Sequence, residues 1–284
     1  MAIVRKAVKQ DFEKIYPLFK KFQNPRLSKE NWEQLFVDHW KSDEGYFGYV
    51  LENRENIVGF LGLIFSHRLL NNKKEKFCNL TSWVVEEKYR NQSLSLLAPV
   101  LKLKDYTLTI HTASKETYAV ARKLGFQDLE SRLRIILPLP SLLTWFAFCK
   151  VEIDRSDFSK TLAKQALQIY KDHLSFRCFH VRVQTSLGEC YIVGTKIYRK
   201  KTPFSQIYHI SHPNIFAKFA GHISLSICLE IKSVATIIDE RFLQGNTIKI
   251  SKVWPLRHPR VYKTNSLVQN DIDSLYSELP ILNL

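Results

Sequence analysis

NLTSWVVEEKYRNQSLSLLAPVLKL, residues 79 to 103, reads as a strand, a charged turn and a helix. Thr81, Trp83, Val84 and Val85 give Asn79–Val85 the β-propensity of a strand. Glu86 to Arg90 form the turn, and the polar Asn91-Gln92-Ser93 opens an apolar segment. Ser93 or Ser95 can cap that segment as a helix, its hydroxyl accepting from an orphan amide of the first turn. A strand that ends in a polar turn at a helix N-terminus gathers unpaired N–H groups and the positive end of a dipole. That combination suits a phosphate.

The segment VVEEKYRNQSLS, residues 84 to 95, resembles the acyl-CoA signature of the GNAT superfamily of N-acyltransferases. There a strand ends in V-x-P-x-Y-R and is followed by R/Q-x-x-G-x-G/A at a helix head. On this resemblance Arg90 takes the R/Q place, Ser93 the first glycine and Ser95 the second small position. Downstream, SKETYAVARKLGF, residues 114 to 126, resembles the family's N-x-x-A-x-x-L-Y-x-K-x-G-F at Lys123, Gly125 and Phe126. The two motifs cover roughly the first half of the chain.

The resemblance implies an α/β fold, a mixed sheet flanked by helices, and acyl transfer from acetyl-CoA or another acyl-CoA to an amine or hydroxyl. Main-chain groups of Val84 and Val85 would pair with the pantetheine arm. Arg90, Asn91, Gln92, Ser93, Leu94 and Ser95 would hold the pyrophosphate. Serines in place of glycines narrow the loop, since glycine lets a phosphate approach the backbone closely. The tyrosine that serves the family as acid is replaced by Ala121; Tyr118, one helical turn earlier, shares its face. The family's base is a carboxylate on the fourth strand, and residues 78 to 85 contain none. His111 and His67, at strand ends, are candidate bases. These departures keep open a second reading: a catalytically silent GNAT-fold protein that binds a ligand or an assembly partner.

The chain has 284 residues, 45% hydrophobic and 24% charged, ordinary for a globular protein with one large core or two. Its formal net charge of +15 is not ordinary and suits an anionic partner such as CoA. The acceptor implied is an amine of a small molecule or a protein, anionic acceptors included. No recognition module or basic–aromatic stripe stands out, so nucleic acid is disfavoured. Cys78, Cys149, Cys178, Cys190 and Cys228 lack zinc-like spacing and read as reduced thiols of a cytoplasmic protein. His209, His212 and His222 lack the convergent partner a metal site needs, and no metal is expected. The longest apolar run, Ile135 to Val151, contains Pro138 and Pro140 and is too short to span a membrane.

In chain order the pattern predicts a strand at residues 3–8, helices at 10–22 and 29–40 (the second capped by Ser28), and a hairpin, 47–52 with 57–67. A basic loop at 71–76 leads to the key strand. A strand at 107–111, a helix at 115–124 and a strand at 132–137 close a domain over 1–140. After a linker between Pro138 and Ser159 the order helix, three strands, helix, strand begins again over 159–284. This reads as a tandem whose second, α/β domain is a degenerate GNAT-like one without an acyl-CoA loop. The tail beyond 246 has no secure placement.

Overall fold

A computed structural model of the chain describes residues 2–70, 73–141, 144, 147–153 and 157–284. It divides into two compact units. The first comprises the chain up to Gln127 with Arg260–Val268 and Tyr276–Leu282; the second comprises Asp128–Pro259, Gln269–Leu275 and Asn283–Leu284.

In the first unit β1 (Ile3–Lys6) pairs antiparallel with β2 (Gly48–Asn53), β2 with β3 (Asn56–Leu70) and β3 with β4 (Lys73–Val85). Arg54 and Glu55, both at positive φ, make the two-residue turn of the β2–β3 hairpin, a geometry that matches strand twist. The basic segment from Lys73 to Lys76, expected as loop, is strand: Lys73, Lys74 and Lys76 pair with Leu70, Leu69 and His67. Residues 71 and 72 lie outside the described set. β5 (Tyr106–Ile110) runs parallel to β4, and the end of the last strand, β12 (Ser251–Lys263), pairs antiparallel with β5 through Val261 and Ile110.

Helices cover both faces of this sheet. α1 (Phe12–Phe19) and the short α2 (Lys29–Glu33) put Phe19 and, just beyond α2, Phe36 onto Phe60. Ser28 caps α2 in a reciprocal box with Asn31, as the sequence predicts. On the other face Leu61, Leu63, Phe65, Cys78 and Leu80 pack with Leu96, Val100 and, from α3 (Lys115–Lys123), Ala121.

In the second unit the strand order is β6 (Gln127–Ile136), β11 (Thr236–Asp239), β10 (Thr202–Ile210), β9 (Gly188–Arg199), β8 (Cys178–Thr185), β7 (Cys149–Ile153). Only the β10–β11 pair among these is parallel. Phe179, Val181 and Val183 of β8 join the core under α5 (Pro213–Ile231). His180, one position out of phase, meets Tyr170 of α4 (Lys164–His173) on the opposite face. Gly221 lets α5 approach Leu139, whose carbonyl oxygen would lie 2.2 Å from an added Cβ.

The segment expected as linker contributes β7. The strand expected at 132–137 is found as β6, but its neighbour is β11, with Ile136 opposite Thr236 and Leu133 opposite Asp239. Alternation in a sequence specifies a strand and its buried face, not its partner. Among the described residues no helix is long and apolar enough to cross a membrane.

α3 ends as its sequence requires. Ser114 caps its start by accepting from Thr117 N–H, and Gly125 at φ +84° closes it, with Phe126 N–H returning to the Ala121 carbonyl. Among the described residues, an added Cβ at Gly125 meets Lys263 Nζ at 3.6 Å, so an alanine there costs backbone conformation rather than a clash. Gly125→Ala is expected to destabilise by about 1–2 kcal/mol. Urea unfolding checks this; an unchanged midpoint would contradict the left-handed turn.

Candidate functional site

β4 and β5 pair over only four residues, ending at Asn79 opposite Thr109. β4 continues to Val85 with β3 as its sole strand partner among the described residues, leaving a fork whose one wall is an unpaired strand edge. A bulge bends that wall. Phe60 faces Val84 but Gly62 faces Thr81, so β4 carries an extra residue, and Ser82 there has φ +51°. Next to it the indole N–H of Trp83 is buried without a hydrogen-bond partner among the described residues. An orphaned donor and free backbone groups on a bulged edge suit an elongated ligand with carbonyl and amide groups.

At the root of the fork is a carboxylate the sequence left unplaced. Glu278, in the short α6 (Glu278–Leu282), is fully buried. Its Oε2 accepts from Asn79 Nδ2 at 2.5 Å and its Oε1 from Thr112 Oγ1 at 2.7 Å. Thr109 Oγ1 donates in turn to Asn79 Oδ1 at 3.1 Å, which fixes the amide's orientation. Burial raises the pKa of Glu278; the two side-chain bonds and the charge of Arg260 pull it partly back. A buried carboxyl with a raised pKa, held by oriented donors, is a candidate acid or base, although salt-bridged and structural carboxyls share these features.

The same unit holds a cavity of about 350 Å³. The loop between α2 and β2 and residues 63–65 of β3 form its walls, and Ile281 of α6 contributes to it. Among the described residues no group of three or more His, Cys, Asp or Glu is placed to hold a metal ion, and the five cysteines form no disulfide.

Solved structures share this architecture over nearly the whole chain. A GCN5-related N-acetyltransferase from Anabaena variabilis ATCC 29413 aligns over 92% of this chain and 72% of its own, at 12% identity and a TM-score of 0.57. One from Kribbella flavida aligns over 92% and 70%, at 12% identity and 0.58. A conserved Enterococcus faecalis V583 protein, a probable N-acyltransferase, aligns over 93% and 72%, at 13% identity and 0.58. The chain has the GNAT-superfamily fold. At such identity the likeness is one of fold, and no family model and no curated protein matches the sequence.

Of the strand and helix expected over residues 79–103, the strand is found and the helix is not. Val84 is buried opposite Phe60, and Val85 is half-buried opposite Gly59. The expected apolar helix is a run of 3₁₀ turns, Glu87–Leu96, followed after Pro99 by another at Val100–Lys102. Pro99 supplies no N–H and its ring clashes with an α-helical turn before it, so the segment closes in tighter turns that still bury Leu96, Leu97 and Val100. Neither Ser93 nor Ser95 is its cap; Glu86 is, without a side-chain bond. Ser95 Oγ donates to Gln92 O at 2.6 Å, and Arg90 reaches Glu87 at 3.2 Å in an exposed ion pair worth about 0–1 kcal/mol. Asn91, Leu94 and Ser95 are exposed; Gln92 and Ser93 are half-buried.

The two catalytic candidates lie on the same unit. His111 is buried just beyond β5, next in sequence to Thr112. Tyr118 is half-buried on α3 and packs against the core of Leu61 and Leu80. His67 is half-buried with its Nε2 buried, and burial lowers its pKa. In the second unit His209 pairs with Asp273 at 3.6 Å, and Ser211 Oγ meets His212 Nδ1 at 2.9 Å. Nothing in the sequence pointed to Glu278, whose partners Asn79 and Thr112 lie far from it along the chain.

Glu278 makes stability depend on pH. Its folded pKa lies above the ordinary 4.5, so the stability linked to it is complete below 4.5 and is lost as pH rises through the folded value. Glu278→Gln is expected to remove that loss, so the gap in unfolding free energy between variant and wild type should move in the variant's favour across this window. Urea titrations at several pH values measure it; parallel curves would contradict a charge buried at Glu278.

Proposed function

We propose that the chain transfers an acyl group from acetyl-CoA or another acyl-CoA to an amine at the fork of the first unit, with Glu278 as the base. The Asn79–Glu278–Thr112 network at the point where β4 and β5 part carries this reading. The family's own carboxylate position on the fourth strand is empty of acids, and the tail supplies one against Asn79 of that strand.

The acceptor ammonium yields a proton to Glu278, directly or through one water, and its lone pair attacks the thioester carbonyl. The C–N bond forms, the C–S bond breaks and the thiolate leaves with the electron pair. His111 and Tyr118 are the candidates to return a proton to it. Asn79 and Thr112 orient the Glu278 carboxyl, and the bulge at Ser82 and Trp83 offers its backbone and the indole N–H to the thioester arm. Arg90, released from its weak pair with Glu87, is the cation offered to the pyrophosphate beside residues 91–95, with the orphan amides of the first 3₁₀ turn after Glu86.

A second reading, a silent GNAT-fold binding module, is favoured by one observation: no α-helix stands behind the pyrophosphate loop. Acetyl-CoA separates the two. On the first reading it raises the melting temperature of the full chain, and transfer to an amine panel is measurable. Glu278→Gln then lowers kcat about 10²–10⁴-fold with acyl-CoA affinity unchanged. Arg90→Ala removes a charge-assisted bond worth roughly 1.5–3 kcal/mol, weakening acyl-CoA binding tenfold or more. Binding without transfer supports the silent module; no binding at all removes acyl-CoA from the account.

A further inference from the structure

One end of the second unit gathers the ends of β9, β10, β11, β6 and β12. β9 passes to β10 through a turn in which Arg199 pairs with Thr202. β11 runs parallel to β10 and so begins at the same end, where Val234 N–H, just before it, donates to Pro203 O at 3.0 Å. β6 finishes there, with Ile136 opposite Thr236. β12 starts beside it, where Leu137 N–H donates to Ile250 O at 3.3 Å. The chain leaves β10 at the far end, and α5 brings it back to stop here at Lys232, its C-cap at φ 55°.

This end is basic. Arg199, Lys200 and Lys201 make the β9–β10 turn, Lys232 closes α5, and Lys249 and Lys252 flank the start of β12; all are exposed. Across the segments that compose it, residues 133–141, 196–206, 228–236 and 246–257, the one acid is Glu230. A single carboxylate cannot offset so many cations. The same end is also apolar. Leu137, Val234, Ile250, Val253 and Trp254 are exposed on or next to these strand ends. Behind them the small core of Leu133, Ile197 and Ile237 is edged by half-buried Ile135, Phe204 and Leu256. Strand alternation carries that face outward, since Leu137 lies two residues past Ile135 and Trp254 two before Leu256.

We propose that this end of the second unit is a docking surface for a membrane rich in anionic phospholipid, independently of the acyl-transfer reading. Reversible attachment to a bilayer combines apolar insertion with attraction to anionic headgroups, and both stand here on strand ends. Trp254 suits the headgroup level, where an indole keeps its ring in the apolar layer and its N–H in the polar one. Lysine stems lie along apolar surface while their ammonium groups reach the lipid phosphates. A nucleic acid would use the charge but not the rest. Single strands are held by aromatic stacking as well as by charge, which leaves the aliphatic side chains of Leu137, Val234, Ile250 and Val253 without a complement. Among the six cations named, Arg199 alone is an arginine, the residue that reads phosphates and bases bidentately.

The test is sedimentation of the full chain with vesicles of phosphatidylcholine, alone or with about 30% phosphatidylserine. Binding to the anionic vesicles should be about tenfold stronger or more, and should weaken as salt rises. Lys201→Glu combined with Lys252→Glu should weaken it about tenfold or more. Lys73→Glu combined with Lys74→Glu makes the same change in net charge at exposed residues of the first unit. It should weaken binding by less than about threefold, because the attraction falls off within a Debye length. Brominated lipid should quench tryptophan fluorescence on binding, and Trp254→Phe should still bind but lose most of that quenching. Each variant is first matched to wild type in melting temperature. No preference for anionic vesicles, equal losses from the two charge pairs, or quenching that survives Trp254→Phe would overturn the proposal. So would tighter binding to a single-stranded RNA than to the vesicles, lost with Lys201 and Lys252, which would mark a nucleic-acid surface instead.

Discussion

A carboxylate out of water needs donors, and Glu278 has its donors only where β4 and β5 separate. Asn79 is the last residue of β4 paired with β5, and Thr112 follows the end of β5, so the two meet the carboxyl from both arms of the fork. Losing either donor leaves part of a buried charge unsatisfied, at a cost of about 1–3 kcal/mol or more. The same contact therefore also holds α6 against the sheet of the first unit.

That coupling follows from how the units are composed. The first unit takes its last strand segment from Arg260–Val268 and its buried α6 from Tyr276–Leu282, far along the chain from residues 79–112. β6, which follows α3 in sequence, belongs to the second unit. The first unit can therefore be finished only when more than a hundred and thirty residues have intervened, the kind of long-range closure that slows folding. A fork left open until the tail arrives has no acid, and it acquires one with the last elements of its own fold.

Local features were readable in the sequence because local chemistry determines them. Ser28 caps the helix it precedes, and the polar turn at Arg54 and Glu55 joins β2 and β3. The strand ending at Val84 and Val85 was legible. The helix after it was not, since Pro99 and the polar opening favour 3₁₀ turns, and apolar spacing alone does not distinguish these from an α-helix. The basic segment from Lys73 to Lys76 looked like a loop because its run of charge hides the alternation of a strand, which pairs with Leu70, Leu69, Arg68 and His67. Glu278 was invisible for a different reason. Its neighbours in sequence, Ser277 and Leu279, say nothing of Asn79, 199 residues away, and only the fold brings the two together.

Direct titration of the carboxyl is the decisive measurement. In protein labelled with ¹³C at the glutamate side-chain carboxyl, one resonance should be absent from Glu278→Gln and should titrate with a midpoint above 4.5. Replacing Asn79 by alanine should move that midpoint further up, because the bond from Asn79 favours the charged form. A Glu278 resonance that titrates at or below 4.5, indifferent to Asn79, would mean that the carboxyl sits in water, and the fork would have no base.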